Sequence, residues 1–361
     1  MINHDHGGAV FAIARQLGLP PEEIIDFSAS INPLGMPAGV RAAVIGQVDS
    51  LVHYPEADAG PLRDALAAFH GVAAEQICPS NGTTELIYLL PRLVPGSRAL
   101  IVSPAFSEYA KGLAAAGWGH ESLCLSPDEG FSLDMGSLRD RLSAGYGILY
   151  LCNPGNPTGK LYSRSEIGQV ADLCRSCGTL LALDEAFIDF CGEEASAVQS
   201  VAASGNVVVL RSMTKFYAIP GLRLGYAVTD AATATRLAEL RGPWSVGTLA
   251  QAAGLAALAG ADFRVRTLKF IACERTRLFG LLSSINGFSP FPASANYLLI
   301  RLDGGRLAKD IRRELLARRL LIRDCSLFDG LNGSYMRVAI RLPEQDDMLV
   351  ASLREIMRSA C

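Results

Sequence analysis

The sequence predicts an α/β protein: a large domain with a mainly parallel sheet between helices, followed by a smaller α+β C-terminal domain. Three observations carry this prediction. Short apolar runs of strand length alternate with longer amphipathic stretches, the pattern of strands joined by crossover helices. Each short run ends at or near polar, glycine or proline residues. After Pro243 the alternation gives way to a helical region rich in Ala and Leu, then to strands of a different spacing.

Taken in order, residues 1–40 read as an N-terminal arm outside the large sheet, because Pro20-Pro21 and Asn32-Pro33 interrupt any long regular element. The large domain, residues 41–245, is expected to hold strands at 99–102, 147–152, 179–183, 207–210 and 225–228. Ser103-Pro104, Asn153-Pro154, Asp184-Glu185 and Arg211-Ser212 close the first four. The smaller domain, residues 246–361, is expected to open with a helical region over 248–282 and to continue with a strand at 297–302. A basic amphipathic helix over 307–319 and strands at 320–324 and 335–340 complete it. In open α/β sheets ligands sit beyond the carboxyl ends of the strands, so those ends are where chemistry is expected.

Half of the 361 residues are hydrophobic and 19% are charged, which predicts an extensive buried interior. A net charge of −3 with scattered basic residues gives no electrostatic case for nucleic acid or an anionic membrane. Residues 1–6 are polar and lack the apolar run of a signal peptide, and no stretch of about 20 uninterrupted apolar residues occurs. A soluble cytoplasmic protein is expected. Nine unevenly spaced cysteines argue against a disulfide framework. Cys174 and Cys177 form a C-x-x-C within a helical stretch, and without a second ligand pair no metal site is expected.

Four motifs carry chemistry. Ser212-Met213-Thr214-Lys215 follows an apolar strand, and a lysine there can act as an amine nucleophile if its surroundings lower its pKa. The hydroxyls of Ser212 and Thr214, with Arg223 in Gly221-Leu222-Arg223-Leu224-Gly225, make a phosphate cup. Asp184, at the end of the preceding strand, can pair with a protonated ring nitrogen, although an aspartate in that place also serves as a helix cap. Asn156, in Asn153-Pro154-Gly155-Asn156-Pro157-Thr158-Gly159, sits in a rigid turn from which its amide can donate. Asn81-Gly82-Thr83-Thr84-Glu85 opens a helix whose backbone N–H groups suit a phosphate. Two rival patterns fail. Ser212-x-x-Lys215 lacks the companion motifs of a penicillin-binding protein, and residues 155–160 have the wrong spacing for a P-loop.

Together and in this order, the four motifs resemble the fold-type-I aminotransferase superfamily of pyridoxal-phosphate (PLP) enzymes, over almost the whole chain. The resemblance implies a PLP-dependent transferase fold with a seven-stranded, mainly parallel sheet in the large domain, PLP as cofactor and a homodimer. It implies that Lys215 anchors the cofactor and moves a proton, with Gly82, Thr83, Thr84, Ser212, Thr214 and Arg223 around the phosphate. Phe106 would stack on the pyridine ring, and Tyr54 would reach the cofactor phosphate of the partner subunit. Arg337 would hold the substrate's carboxylate. Phe187 stands where relatives commonly carry tyrosine, which removes one donor to the ring oxygen and places more of that task on Asn156.

Within the superfamily, His6-Gly7-Gly8, residues 26–35 and 81–90, Pro243-Trp244-Ser245-Val246 and Ile322-Arg323-Asp324-Cys325-Ser326 resemble the threonine-phosphate decarboxylases. These are cobalamin-pathway relatives of the histidinol-phosphate aminotransferases. The expectation is decarboxylation of O-phospho-L-threonine to (R)-1-aminopropan-2-yl phosphate, with a histidinol-phosphate or related aminotransferase as the alternative. A small phosphorylated amino acid needs a second anion site, for which His6, Asn32 and Arg323 are the candidates. No nucleic acid or membrane partner is expected.

Overall fold

The computed structural model describes residues 7–201 and 204–359. The N-terminal segment folds into a helix, Val10–Leu17, and a two-residue strand, β1 (Ile25–Asp26). The strands of the large sheet follow: β2 (Ile77–Ser80), β3 (Arg98–Ser103), β4 (Gly119–Cys124), β5 (Ile148–Cys152), β6 (Leu180–Asp184), β7 (Val207–Ser212) and β8 (Gly225–Val228). They lie side by side in the order β2-β8-β7-β6-β5-β3-β4. Neighbours from β4 through β7 pair in parallel, and β8 runs antiparallel to both β7 and β2. This is the seven-stranded, mainly parallel sheet expected.

The uninterrupted apolar runs make sense once both faces of the sheet are covered. Leu149, Leu151, Leu181, Leu183, Val207 and Val209 point into one core, packed with Leu62 and Leu66 of the helix Gly60–His70. Their neighbours Ile148, Tyr150, Leu180, Ala182, Val208 and Leu210 point the other way, against Leu86 and Ile87 of the helix Thr83–Leu89. Strand alternation thus divides each run between two cores.

Register brings one edge of this sheet to a single line. Cys152 is opposite Asp184, Asp184 opposite Leu210, and Ser212 opposite Gly225, which is also opposite Ser80. The exits of β2, β5, β6 and β7 therefore lie beside the entry of β8. Two strands of this large sheet escaped the sequence reading. β2 contains Pro79, and β4 is a sheet edge whose exposed Gly119, His120 and Glu121 carry no apolar run.

Beyond the large sheet, β9 (Phe288–Pro290), β10 (Tyr297–Leu302), β11 (Leu320–Leu321), β12 (Arg323–Asp324) and β13 (Tyr335–Ala339) form smaller sheets. Four of them make an antiparallel sheet in the order β12-β13-β10-β9, while β11 pairs in parallel with β1. The expected strand at 320–324 is therefore two strands in two sheets, with the chain stepping between them at buried Ile322. The helical region expected at 248–282 holds two helices, Thr248–Leu258 and Ala261–Ser283, parted at Ala259-Gly260, where glycine's poor helix propensity favours a break. Among the described residues no helix is long and apolar enough to cross a membrane, and no group of metal-ligating side chains forms.

Candidate active site

The edge where the strand ends meet opens into a cavity of about 830 Å³. Lys215 sits in its wall three residues past β7, and its Nζ donates to Ser212 Oγ at 3.1 Å. Ser212 Oγ and Thr214 Oγ1 lie 2.8 Å apart. Removal from water lowers the lysine's pKa, the Arg223 guanidinium adds to the effect, and Asp184 opposes it. A larger fraction of neutral amine makes a better nucleophile.

Beside the lysine is a cradle that side chains would fill. Gly82 has φ of 75°, and a Cβ there would stand 2.7 Å from Arg223 Nη2. A Cβ at Gly225 would meet the backbone nitrogen of Thr83 at 2.7 Å. Both glycines are required by this approach of β8 to the turn before Thr83 and Thr84. Glu85 accepts from the Asn81 N–H at 2.8 Å, so the turn is closed by its own side chain as well.

Asp184 lies across the cavity floor with both oxygens occupied. Oδ2 accepts from the Tyr109 hydroxyl at 2.6 Å and Oδ1 from the Ala186 N–H at 2.9 Å. The Ala186 contact closes a tight turn at the strand end, and no helix starts at Asp184 for it to cap. Burial and the adjacent carboxylate push the Tyr109 phenol well above its ordinary pKa, so it stays a donor. Phe106 lines the cavity edge-on to Tyr109, their centroids 5.9 Å apart. The ring of Phe187 lies 5.5 Å from Lys215 Nζ and meets Tyr297 edge-on at 5.0 Å.

Two arginines reach the cavity from the smaller sheet. Arg337 on β13 is buried and donates to Asn156 Oδ1 and to the Ser28 carbonyl, the latter at 2.6 Å. With Asn156 Oδ1 engaged, its amide nitrogen is the group left to donate into the cavity. Among the described residues no carboxylate forms an ion pair with Arg337, and burial lowers its pKa. A buried guanidinium held only by neutral acceptors is a place for an anion. Arg323 on β12 also lines the cavity, with its guanidinium 5.4 Å from the centre of the Phe328 ring. Arg323 and Arg337 are direct cross-strand partners.

The remaining candidates stand elsewhere. Asn32 does not line the cavity. Its Nδ2 donates to Phe216 O at 2.7 Å and Thr267 Oγ1 at 3.0 Å, so its donors are used inside the protein. Tyr54 is 80% exposed outside this chain's own cavity and stacks on Trp244 at 4.8 Å. His6 lies outside the described residues. The sequence reading passed over Ser30, whose buried hydroxyl lines the cavity and has no partner among the described residues. It also passed over Tyr109. Helical spacing from Phe106 was the available signal for Tyr109; Ser30 had none.

A nucleophilic lysine, a carboxylate across from it, and a glycine-lined cup with two hydroxyls and an arginine match the aldehyde, pyridine nitrogen and phosphate of PLP. The sequence matches the family model for class I and II aminotransferases over residues 22–353. The chain belongs to that family. Among aminotransferase-family proteins it is 40% identical to a threonine-phosphate decarboxylase of Salmonella typhimurium, over 99% of this chain and 98% of that one. It is 33% identical to a histidinol-phosphate aminotransferase of Roseiflexus castenholzii, over 95% of this chain and 92% of the other. The solved L-threonine-O-3-phosphate decarboxylase of Porphyromonas gingivalis superposes with a TM-score of 0.82 at 28% identity, covering 92% of this chain and 99% of that one.

Proposed function

We propose that this chain is a PLP-dependent carboxy-lyase that converts O-phospho-L-threonine to (R)-1-aminopropan-2-yl phosphate, for cobalamin side-chain biosynthesis. The observation that carries the reading is the pairing of Arg323 with Arg337 on adjacent strands at the cavity wall. Two guanidinium groups side by side on one wall suit a ligand that carries two anionic groups. With Arg223 at the cradle, the cavity presents three guanidinium groups, one for each anion of a phosphorylated cofactor and a phosphorylated amino acid.

When bound, PLP supplies an electron sink for the bond broken at the substrate's α-carbon. Arg337 takes the carboxylate, Arg323 takes the substrate phosphate, and Ser30 offers a hydroxyl on the same wall. Asp184, fixed by Tyr109, would face the ring nitrogen, and Phe106 would cover the ring. Lys215 would hold a proton at Nζ for delivery to the α-carbon in place of the departing CO₂. Asn156 would offer its amide N–H to the ring oxygen, where Phe187 would contribute no hydroxyl.

The same reading makes the protein a cytoplasmic homodimer. Val52, Tyr54, Ile45 and Leu51 are more than half exposed, and Trp244 is stacked beneath Tyr54. An apolar patch of this kind suits a second copy of the chain. Mixing a Lys215→Ala chain with a Tyr54→Ala chain tests it: activity returns if Tyr54 serves the neighbouring site, and stays absent if it does not.

The reaction itself is tested with a panel of phosphorylated amino acids and histidinol phosphate. Release of CO₂ and an amine phosphate without any oxo-acid supports the proposal. Turnover that requires 2-oxoglutarate and forms glutamate overturns it in favour of an aminotransferase.

A further inference from the structure

Asn32, taken from the sequence as a candidate phosphate ligand, does something else, and the contacts it makes converge on the lysine. Its backbone N–H donates to the carbonyl of Lys215 at 3.0 Å. Its side-chain Nδ2 donates to the next carbonyl, Phe216 O, at 2.7 Å and to Thr267 Oγ1 at 3.0 Å. Asn32 Oδ1 accepts from the Leu34 N–H at 3.0 Å, so the amide has one orientation. Both Asn32 and Thr267 are buried.

Thr267 belongs to the helix Ala261–Ser283, and Arg264 stands one turn earlier on the same face. Arg264 Nη1 donates to the Tyr217 hydroxyl at 3.1 Å and lies 3.3 Å from Asp189 Oδ1, and its guanidinium is 5.5 Å from the Phe216 ring centre. Lys215, Phe216 and Tyr217 are therefore gripped in succession from behind, on the side away from the cavity. The grip comes from the N-terminal segment and this one helix. The helix packs in turn on β9 and β10, and β10 pairs with β13, the strand of Arg337.

We propose that Asn32 and Thr267 are positioning residues for Lys215. They tie the register of the helix Ala261–Ser283, and through it the sheet that carries Arg337, to the placement of the lysine Nζ. This rests on Lys215 being the cofactor anchor. The hydroxyl of Thr267, rather than its bulk, is what the arrangement uses, because without an acceptor a buried amide N–H is left unmatched and the Asn32 side chain loosens.

The experiment separates the two properties of Thr267 in the purified holoenzyme. Thr267→Val keeps the volume and removes the hydroxyl; Thr267→Ser keeps the hydroxyl and removes a methyl. The readout is the pH midpoint of the visible absorbance of the lysine-linked cofactor, followed alongside KM and kcat. The titratable and charged groups facing Nζ are Asp184, Arg223 and Cys152. Thr267→Val is expected to move the midpoint upward by about half a pH unit, because a slackened lysine is less confined away from water. It is expected to lower kcat roughly three- to tenfold with KM unchanged, and Thr267→Ser is expected to behave as the parent. Tyr217→Phe, which removes the hydroxyl held by Arg264 at the same turn, is the second variant and is expected to shift the midpoint the same way by less. The proposal is overturned if Thr267→Ser shifts the midpoint as much as Thr267→Val, or if the folded variants leave it in place. If the parent enzyme shows no lysine-linked band at all, the reading of Lys215 fails instead.

Discussion

Replacing Arg337 by lysine keeps the charge and removes the fork. In the structure one guanidinium serves Asn156 Oδ1 and the Ser28 carbonyl together, and on the proposed reading it also meets the substrate carboxylate. An ammonium is a point donor and cannot keep that geometry for all three. At least one hydrogen bond to a charged group is lost, about 1.5–3 kcal/mol. At about 1.4 kcal/mol for each factor of ten, kcat/KM for the phosphorylated amino acid falls roughly ten- to hundredfold. The assay compares two ligands. The amine phosphate product has no carboxylate, so its inhibition constant should change by less than about twofold, while the substrate weakens as stated. An Arg323→Lys variant should weaken both, because both carry the phosphate. Equal weakening of substrate and product in Arg337→Lys would refute the carboxylate assignment.

Tyr109→Phe removes the 2.6 Å bond to Asp184 Oδ2 and should lower kcat about tenfold while cofactor absorbance is retained. Gly225→Ala should cost about 1–3 kcal/mol of stability in denaturant unfolding, because its Cβ would lie 2.7 Å from the Thr83 nitrogen, and cofactor affinity should fall with it. Asp346 is buried against Glu274, and burial with that neighbour pushes its carboxyl up to about 8. A folded-state pKa raised above the unfolded one gives stability that is present at low pH and lost as pH rises through the folded value. Relative to Asp346→Asn, the parent should therefore lose thermal stability from the ordinary carboxylate range up to about pH 8, and a flat difference between the two would refute it.

How far the sequence could be read depended on where each signal lay. The strands β5, β6 and β7 were legible because their residues are buried on both faces, which leaves an unbroken apolar run. Lys215, Asp184 and Arg223 could be brought to one edge from sequence because each lies close to a strand end. Ser30 was not legible, and Asn32 was chosen in its place, because which of two polar residues in an irregular segment faces a cavity is settled by contacts more than 180 positions away. The division of 320–324 between two sheets was hidden for a similar reason: β11 is defined by β1 and β12 by β13, partners remote in sequence.

The reversal of β8 has a consequence for how this protein tolerates being cut and rejoined. Because β8 runs against β7, the segment 213–224 leaves and re-enters the sheet at the same edge, with Ser212 opposite Gly225. A parallel strand of this length would begin at the far edge, roughly 13 Å away at about 3.3 Å per residue, and the lysine and its arginine would be drawn apart. The excursion that holds both is closed by its own flanking strands. New chain termini opened within it, by circular permutation, would release the anchor from its phosphate partner while leaving the strands around it paired. Termini opened in the exposed turn at residues 304–305, between β10 and the helix Ala308–Leu316, would not touch that closure.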